Sequence, residues 1–450
     1  MTGELLPDLT DTPALLREAA QSARASGDEL GALAHLIAAE ALESCKAGIV
    51  GEGAQRVGMV ATGYFMKGDH ARARRWYELA LGLDAGQAAA WQNLAAIHAK
   101  AGNDDHAQRC RERAYALQRV YVETSGQPSR RVLLLCAGRS SGNVPFDLLV
   151  PTPHNGRIKY AVDYAPPAED AGLPPFDLVF NAVGDPDIAE PLLARIAQFA
   201  QTCTRPLLNV PERVAETRRD RLPALLQGLQ DVRTAPCIRV DLARPTDDTA
   251  SDKAHANSRQ RIAAAGLRLP LLVRPVATHG GEGLVRCDTE AQLEAALAAQ
   301  TGSFYVSAFR DTRDADGSCR KYRIAFVDRV PYPYHLAISP HWMVHYFSAE
   351  MEGVRRKLEE EARFLADPVA ALGERGAAAI AAIGRRLDLD YAGVDFTVLP
   401  DGSVFVFEAN ATMLVHRERP DGELAHKNVY VQQIAEAFEA MMRARMATRV

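Results

Sequence analysis

Asp395, Glu408 and Asn410 stand at the spacing D-(x12)-E-x-N, on either side of Asp401-Gly402. An Asp-Gly pair between two alternating apolar runs is a strong hairpin signal. With those two residues as the loop, Asp395 faces Glu408 directly, and Asn410 follows on the same face by the period of two. The other face then carries Val394, Phe396, Val398, Phe405 and Phe407, a complete core face. Opposed carboxylates repel one another unless a cation lies between them. Two carboxylates and an amide oxygen suit Mg²⁺, which takes one or two protein carboxylates together with substrate phosphates. Alone, the hairpin leaves two other readings open: acids on a solvated face, or acids neutralised by arginine.

A second feature lies upstream. The apolar strand LPLLVRPV carries Arg274 and runs into THGGEG, with Thr278, His279, Gly280, Gly281 and Gly283. Successive N–H groups of a glycine-rich loop can cradle phosphate oxygens, with Thr278 and His279 as added donors. Turns need glycine too, so the order is what counts: basic strand, glycine loop, apolar strand, acidic hairpin. His335, His341 and His345 crowd the stretch PYHLAISPHWMVHYF. His341 and His345 have helical spacing, but VPYPYHLAI and WMVHYF read as strands and no third ligand is evident, which argues against a metal. A wall of the substrate pocket, or a general base, is the better reading. His416, just past the hairpin, is either a substrate contact or structural. The charge-paired run RRKLEEEAR (355–363) reads as a solvated helix face.

The elements that must position these residues alternate. RVLLLCAG and FDLVFNAVG read as buried strands, PDIAEPLLARIAQFAQTC as an amphipathic helix and RPLLNVP as a short strand. A helix ERVAETRRDRLPALLQGL, the strand APCIRVDLA and a polar run RPTDDTASDKAHANSRQ, read as a loop, come next. Alternation of this kind predicts a sheet with helices on its faces. A meander, two helices, the acidic hairpin and a closing helix VYVQQIAEAFEAMMRARM complete the chain.

The N-terminal part has a different texture. Gly68, Ala73 and Ala80 recur as Gly102, Ala107 and Ala114, 34 residues on, and Gly27, Ala32 and Ala39 show the same internal spacing 41 residues upstream. About seven residues near CKAGIVG are thus inserted. Small alanines let paired helices approach, and the glycine ends the first helix of each pair where φ > 0 is needed. Trp91, Leu94, Ala95 and His98 mark one face of a helix. The pattern resembles tetratricopeptide repeats over 14–122; an ordinary helical bundle is the alternative. ETSGQPSR (123–130) reads as a linker.

Composition sets outer bounds. Of 450 residues, 47% are hydrophobic and 24% charged, which excludes a mainly disordered chain, and the length implies several domains. A net charge of −5 argues against a chain-wide nucleic-acid footprint. No apolar run reaches the ~20 residues of a bilayer span. Seven scattered cysteines form no CxxC, so a reducing, cytoplasmic setting is expected.

From residue 131 to 445 the order of parts resembles the ATP-grasp superfamily of ATP-dependent ligases. With the all-α repeat domain (14–122) before it, that resemblance implies a multidomain chain: an α/β pre-ATP-grasp domain (131–210), a smaller α+β ATP-grasp subdomain carrying the glycine flap (211–305) and a larger one carrying the metal hairpin (306–445). It implies Asp395, Glu408 and Asn410 as the magnesium site and THGGEG as the flap over the triphosphate of ATP. Val306 and Ala308 would contact adenine through the backbone, and Asp311 the ribose. Lys321 and Arg323 would be basic ligands of phosphate or substrate. Arg274 stands where the family usually has lysine, and Arg218 or Arg219 answers to an earlier lysine; a guanidinium fork can hold phosphate oxygens in their place. The implied activity joins a carboxylate to an amine through an acylphosphate. The repeats would recruit a peptide or protein partner, with homodimerisation as their other use, and a scaffold with a nucleotide-sensing relic is the competing view.

Overall fold

In the computed structural model, residues 12–46, 51–139, 142–242, 257–278 and 280–447 are described. The chain divides into two compact units. One comprises Met1–Tyr121 with Gly138–Ser140 and Ala161–Pro166, the other the remainder.

In the first unit, glycine ends the first helix of every pair. Gly27, Gly68 and Gly102 have φ of 79°, 79° and 75°. Behind each, a backbone N–H reaches back five residues: Asp28 to Ala23 (2.9 Å), Asp69 to Tyr64 (3.0 Å) and Asn103 to His98 (2.9 Å). This is the Schellman closure of a helix end. The pairs are α1 (Pro13–Ala25) with α2 (Glu29–Lys46), α3 (Gly51–Met66) with α4 (His70–Leu83), and α5 (Ala88–Lys100) with α6 (Asp104–Leu117). Each pair packs together, and α2 also meets α3 as α4 meets α5. Ala32, Ala73 and Ala107 are each 0% exposed, and Ala39, Ala80 and Ala114 are equally buried. The repeated alanines therefore sit where helices approach most closely. Around them Trp76, Tyr77, Trp91 and Leu94 fill the core. The inserted segment falls largely on 47–50, outside the described residues.

The second unit is mixed α/β, and among the described residues the strands form three sheets. The first has the order β1-β3-β2-β4-β5, from β1 (Val120–Glu123), β2 (Arg130–Cys136), β3 (Asn155–Ala161), β4 (Leu178–Asn181) and β5 (Leu207–Leu208). Strands β2, β4 and β5 are parallel. The expected linker is therefore shorter than 123–130, since Glu123 ends β1 and Arg130 opens β2. The second sheet, order β7-β10-β8-β9, holds β7 (Cys237–Val240), β8 (Leu271–Pro275), β9 (Val285–Cys287) and β10 (Phe304–Ala308). The third has the order β12-β11-β13-β14-β6, with β6 (Val232–Thr234), β11 (Cys319–Val327), β12 (Val330–Ser339), β13 (Tyr391–Val398) and β14 (Val404–Asn410). Its strands are antiparallel except β6, which runs parallel to β14. The apolar face of that sheet includes Tyr322 and Phe396, with Phe364 of the helix Arg355–Ala366 edge-on to Tyr322 at 5.0 Å.

Three expectations need correction. The helix expected over 212–229 is broken into Pro211–Glu216 and Leu222–Leu225. Thr217 turns back with its hydroxyl on Val214 O (2.7 Å), and Pro223 follows, so Arg218, Arg219 and Arg221 lie on a turn or at its end rather than along one helix face. The stretch WMVHYF is not a strand; it is irregular and ends in a 3₁₀ turn, Tyr346–Ser348. The helix Arg355–Ala366 is not wholly solvated, because Glu361 is 0% exposed. Its carboxylate accepts the Leu336 N–H (3.1 Å) and the Tyr346 hydroxyl (3.1 Å). The polar run after β7 lies mostly in 243–256, outside the described residues. Among the described residues, no helix is long and apolar enough to cross a membrane.

Candidate functional site

Asp395 and Glu408 are register partners on β13 and β14, as the hairpin spacing predicted, although by a different route. The loop has three residues, Pro400–Gly402. It is closed by Leu399 N–H to Ser403 O and Gly402 N–H to Leu399 O, both 2.8 Å, and Gly402 lies at φ 79°. A three-residue loop moves the register by one from that expected, pairing Val398 with Val404 and Phe396 with Val406. A bulge between Asp395 and Phe396 then restores the acidic pair by stepping over Phe407. Phe407 is accordingly 38% exposed and not part of the core face it was expected to complete. Asn410 pairs with Gly393, and its amide oxygen accepts the Thr412 N–H and hydroxyl, both at 2.9 Å.

The pair belongs to a row that crosses four strands. Arg323 on β11 is the register partner of Asp395, and His335 on β12 is the partner of Arg323. Cross-strand partners share a face, so His335, Arg323, Asp395 and Glu408 form one line across the sheet. Arg323 binds Asp395 bidentately, at 2.6 and 2.8 Å, and Lys321 adds a contact at 3.2 Å. Arg219, from the turn after Pro211–Glu216, hydrogen-bonds Glu408, and Arg274 on β8 lies 3.9 Å from the same carboxylate. Four cations thus surround two acids. Arg218, the other candidate for the missing lysine, turns instead to Asp220 (2.7 Å) and Glu190.

Each charge state follows from these neighbours. Burial works to raise the Glu408 carboxyl, but Arg219, Arg274 and Lys321 outweigh it and the repulsion of Asp395, holding it at about 2. Burial opposes the charged Asp395 as well, and Arg323 and Lys321 overcome it, leaving its carboxyl well below the usual range. Arg274 is pushed down to about 10, by burial first and by Arg219 second, against the pull of Glu408. The three histidines near the row are all shifted towards the neutral form. Burial leads in each case, followed for His335 by Arg323 and Lys427, for His345 by Lys321 and Arg323, and for His416 by Lys427 and Arg323, against Glu418.

The glycine loop carries the left-handed backbone that its composition calls for, with φ of 62°, 83° and 65° at Gly280, Gly281 and Gly283. It also needs the missing side chains. A Cβ on Gly281 would lie 3.1 Å from Met343 Sδ, and one on Gly283 2.9 Å from the ring of Pro275. Thr278 is tied into the strand: its hydroxyl accepts Arg274 Nε–H (3.1 Å) and donates to Pro275 O (2.9 Å), and its carbonyl accepts a second Arg274 N–H. His279 lies outside the described residues. Val306 is fully buried in the core of the second sheet, between Val273 and Ile238. The Ala308 N–H donates to Pro236 O at 3.1 Å. Asp311 is about half exposed and accepts the Arg313 N–H at 3.0 Å, so it is not joined to the row.

No protein-family profile and no curated protein matches the chain. Solved structures do. A D-alanine–D-alanine ligase from Bacillus anthracis complexed with ATP is 14% identical, with a TM-score of 0.38 over 70% of this chain and 98% of that one. A RimK domain ATP-grasp protein from Sphaerobacter thermophilus is 17% identical, with a TM-score of 0.38 over 69% and 99%. The D-cycloserine synthetase DcsG is 18% identical, with a TM-score of 0.37 over 68% and 99%. At such identities and scores the likeness adds nothing to what the residues themselves support.

Of the readings the hairpin left open, the structure has the acids neutralised by arginine and lysine, and a hard divalent cation would have to compete with Arg323 and Arg219 for their oxygens. Two opposed carboxylates offer oxygen ligands, and Glu408, with 22% of its side chain exposed, is the accessible one. Glu408 also binds Arg219, and among the described residues no cluster of three or more acidic, histidine or cysteine side chains could hold a metal, so a cation there would need ligands from elsewhere. Sequence reading missed the buried groups that support the row: Lys427 (1% exposed) on Glu418 at 2.7 Å, and Tyr334, whose hydroxyl meets His416 Nδ1 at 2.9 Å. Neither lies in a motif; a buried lysine announces itself only once burial is known.

Proposed function

We propose that this chain is an ATP-dependent carboxylate–amine ligase of the ATP-grasp kind, working through an acylphosphate. The observation that carries the reading is the row Arg323–Asp395–Glu408 with Lys321, Arg219 and Arg274 around it. Opposed acids inside a surplus of cations match a polyphosphate with its divalent counter-ion. In this reading 131–210, 211–305 and 306–445 are the substrate domain and the two ATP-grasp subdomains.

A carboxylate oxygen attacks the γ-phosphorus of ATP while the bond from that phosphorus to the β-bridging oxygen breaks and ADP leaves. The amine nitrogen then attacks the acyl carbon, the C–O bond to phosphate breaks, and the amine proton passes to solvent or phosphate. Arg274 and Arg323 spread the charge that builds on the transferring phosphoryl group, and Lys321 holds the carboxylate oxygen against it. Bound Mg²⁺, held by Asp395 and Glu408 with Asn410 beside them, would neutralise phosphate charge. The glycine loop around Gly280, Gly281 and Gly283 closes over the phosphates and keeps water from the acylphosphate, and the part given to His279 rests on resemblance alone. Val306, Ala308 and Asp311 are assigned to the nucleoside end by resemblance alone.

The test is ADP release against panels of acids and amines, each alone and in combination. Release that needs one acid and one amine together, with an amide in the products, supports the reading; ADP release with no acid requirement would sink it. We further assign the repeats over 14–122 to recruiting a peptide or protein substrate or partner, on the ground that three stacked helix pairs present an extended surface. Unchanged kinetics on the true substrate after removal of residues 1–125 would refute that assignment.

A further inference from the structure

A second row of side chains crosses the second sheet. Tyr305 on β10 is the register partner of Arg274 on β8 and of Arg239 on β7, so the three share one face. Arg274 lies near Glu408, while Tyr305 and Arg239 both turn to Asp187. Asp187 belongs to a single helical turn, Pro186–Ala189, that follows β4 of the first sheet. Its side chain is 10% exposed. One carboxylate oxygen accepts the Tyr305 hydroxyl and an Arg239 N–H (2.8 Å), and the other accepts the backbone N–H of Ala277 at 3.4 Å. Burial pushes this carboxyl upward, against the pull of Tyr305 and Arg239, so its charge is kept there at a cost.

Ala277 is a non-glycine residue at φ 55°, a conformation that persists only where neighbours hold it. The next residue is Thr278, whose hydroxyl and carbonyl take the Arg274 guanidinium. Asp187 therefore holds the point where Arg274 is clamped and from which the glycine loop departs. Three residues beyond Asp187, Glu190 holds a different segment. Its oxygens bind Arg218 and, at 2.7 Å, Arg221. These two bracket Arg219, which hydrogen-bonds Glu408. Arg239 lies between the two acids, 2.8 Å from Asp187 and 3.6 Å from Glu190. The turn is itself anchored: Asp185 accepts the N–H groups of Asp187 (2.8 Å) and Ile188 (3.2 Å), and the Gly184 and Asp185 N–H groups both donate to Gly142 O at 2.9 Å.

We propose that Asp187 and Glu190 are positioning residues, and that this one turn sets the two cations, Arg274 and Arg219, that converge on Glu408. Asp187 acts on Arg274 through Ala277 and Tyr305. Glu190 acts on Arg219 through Arg218 and Arg221. What the two arginines bind rests on the ligase reading; their placement does not. In that reading, nucleotide affinity depends on a segment of the 131–210 domain that contributes no phosphate ligand of its own.

The test uses the full chain with Asp187→Asn, Glu190→Gln and Tyr305→Phe, read first by peptide-resolved hydrogen exchange without nucleotide. Asp187→Asn should speed exchange over Arg274–Thr278 by about tenfold or more and leave Thr217–Leu222 unchanged; Glu190→Gln should do the reverse. Tyr305→Phe removes one anchor of Asp187 and no charge, and should speed the first peptide by a smaller factor; it carries the same test should Asp187→Asn fail to fold. Equal changes in both peptides, or none, would overturn the proposal. ATP titrations then separate positioning from general support of the fold. Each acid variant should weaken ATP binding by about tenfold. Asp187→Asn should add little once Arg274 is replaced by alanine, and Glu190→Gln little once Arg219 is. Full additive losses in those backgrounds would show that the acids do not act through the arginines, and would overturn the proposal. If the parent chain binds no ATP, the ligase reading falls and the exchange result alone decides on the turn.

Discussion

Among the described residues of the helical unit one polar side chain, His98, is buried, whereas the second unit buries fifteen, including Asp395, Glu361, Arg130 and Lys427. The second unit is larger, but by far less than that ratio. The first unit solves its packing problem by repetition. Alanines at fixed offsets from a glycine let helices close on one another, and a backbone N–H beyond each of these glycines closes the helix end. The second unit accepts the desolvation cost of charge at several places, and on the face of the third sheet it sets Arg323, Lys321, Arg219 and Arg274 against Asp395 and Glu408. Buried ion pairs are weak evidence for stability but strong evidence that charge is wanted at that point.

The largest effect should come from breaking the line at its centre. Asp395→Asn leaves Arg323 and Lys321 facing each other without a counter-charge, at a cost of about 3–5 kcal/mol in denaturant unfolding. The double variant Asp395→Asn with Arg323→Met should recover most of that stability but no nucleotide-dependent activity. A single variant that costs less than about 1 kcal/mol would mean that the pair is effectively solvated.

The matching change in the helical unit is Ala80→Leu, at a position 0% exposed on α4. Overpacking there should cost about 1–3 kcal/mol. Thermal unfolding should show the loss while ATP affinity is unchanged, because no charge of the site is touched. A weakened nucleotide affinity would break the contrast drawn between the two units.

Arg274→Ala should weaken ATP binding by about tenfold, the value of one or two hydrogen bonds to a charged group. Arg274→Lys should restore most of it. A lysine variant as poor as alanine would show that the fork on Thr278, which fixes the start of the glycine loop, matters more than the charge.

The smallest and slowest effect is on pH. Folding depresses the carboxyls of Asp395 and Glu408, so their contribution to stability is complete above the usual carboxylate range, near 4 to 4.5, and is lost as pH falls through their folded values, about 2 for Glu408. Stability measured between pH 5 and 2 should therefore fall less steeply in the Asp395→Asn, Arg323→Met double variant than in the parent. Equal slopes would show that these acids are not the ones that titrate.

What could be read from the sequence was local. The glycine–alanine register and the Asp395–Glu408 opposition lie within single supersecondary units, where spacing dictates geometry. Even there the hairpin reached its pairing through a three-residue loop and a compensating bulge, because Gly402 takes the left-handed position that such a loop requires. Lys321, Arg323, Arg274 and Arg219 were singled out as basic residues, but that they neutralise these two acids was not legible. Arg219 meets Glu408 across 189 residues of chain, after a helix expected to continue through it breaks at Thr217. His335, His345 and His416, read from the sequence as pocket wall or substrate contact, do come together beside Lys321 and Arg323, whereas Tyr334, Tyr346 and Lys427 beside them were not singled out. Glu361, placed by charge pattern on a solvated face, is buried because its carboxylate satisfies Leu336 and Tyr346.

The central claim is that the opposed acids hold a nucleotide through a divalent cation. Calorimetric titration of ATP, with and without Mg²⁺, into the parent chain and into Glu408→Gln tests it without knowledge of the substrate. The account predicts binding that Mg²⁺ strengthens in the parent and no longer strengthens in the variant. Binding indifferent to Mg²⁺ and equal in both, or no binding at millimolar ATP, would contradict it.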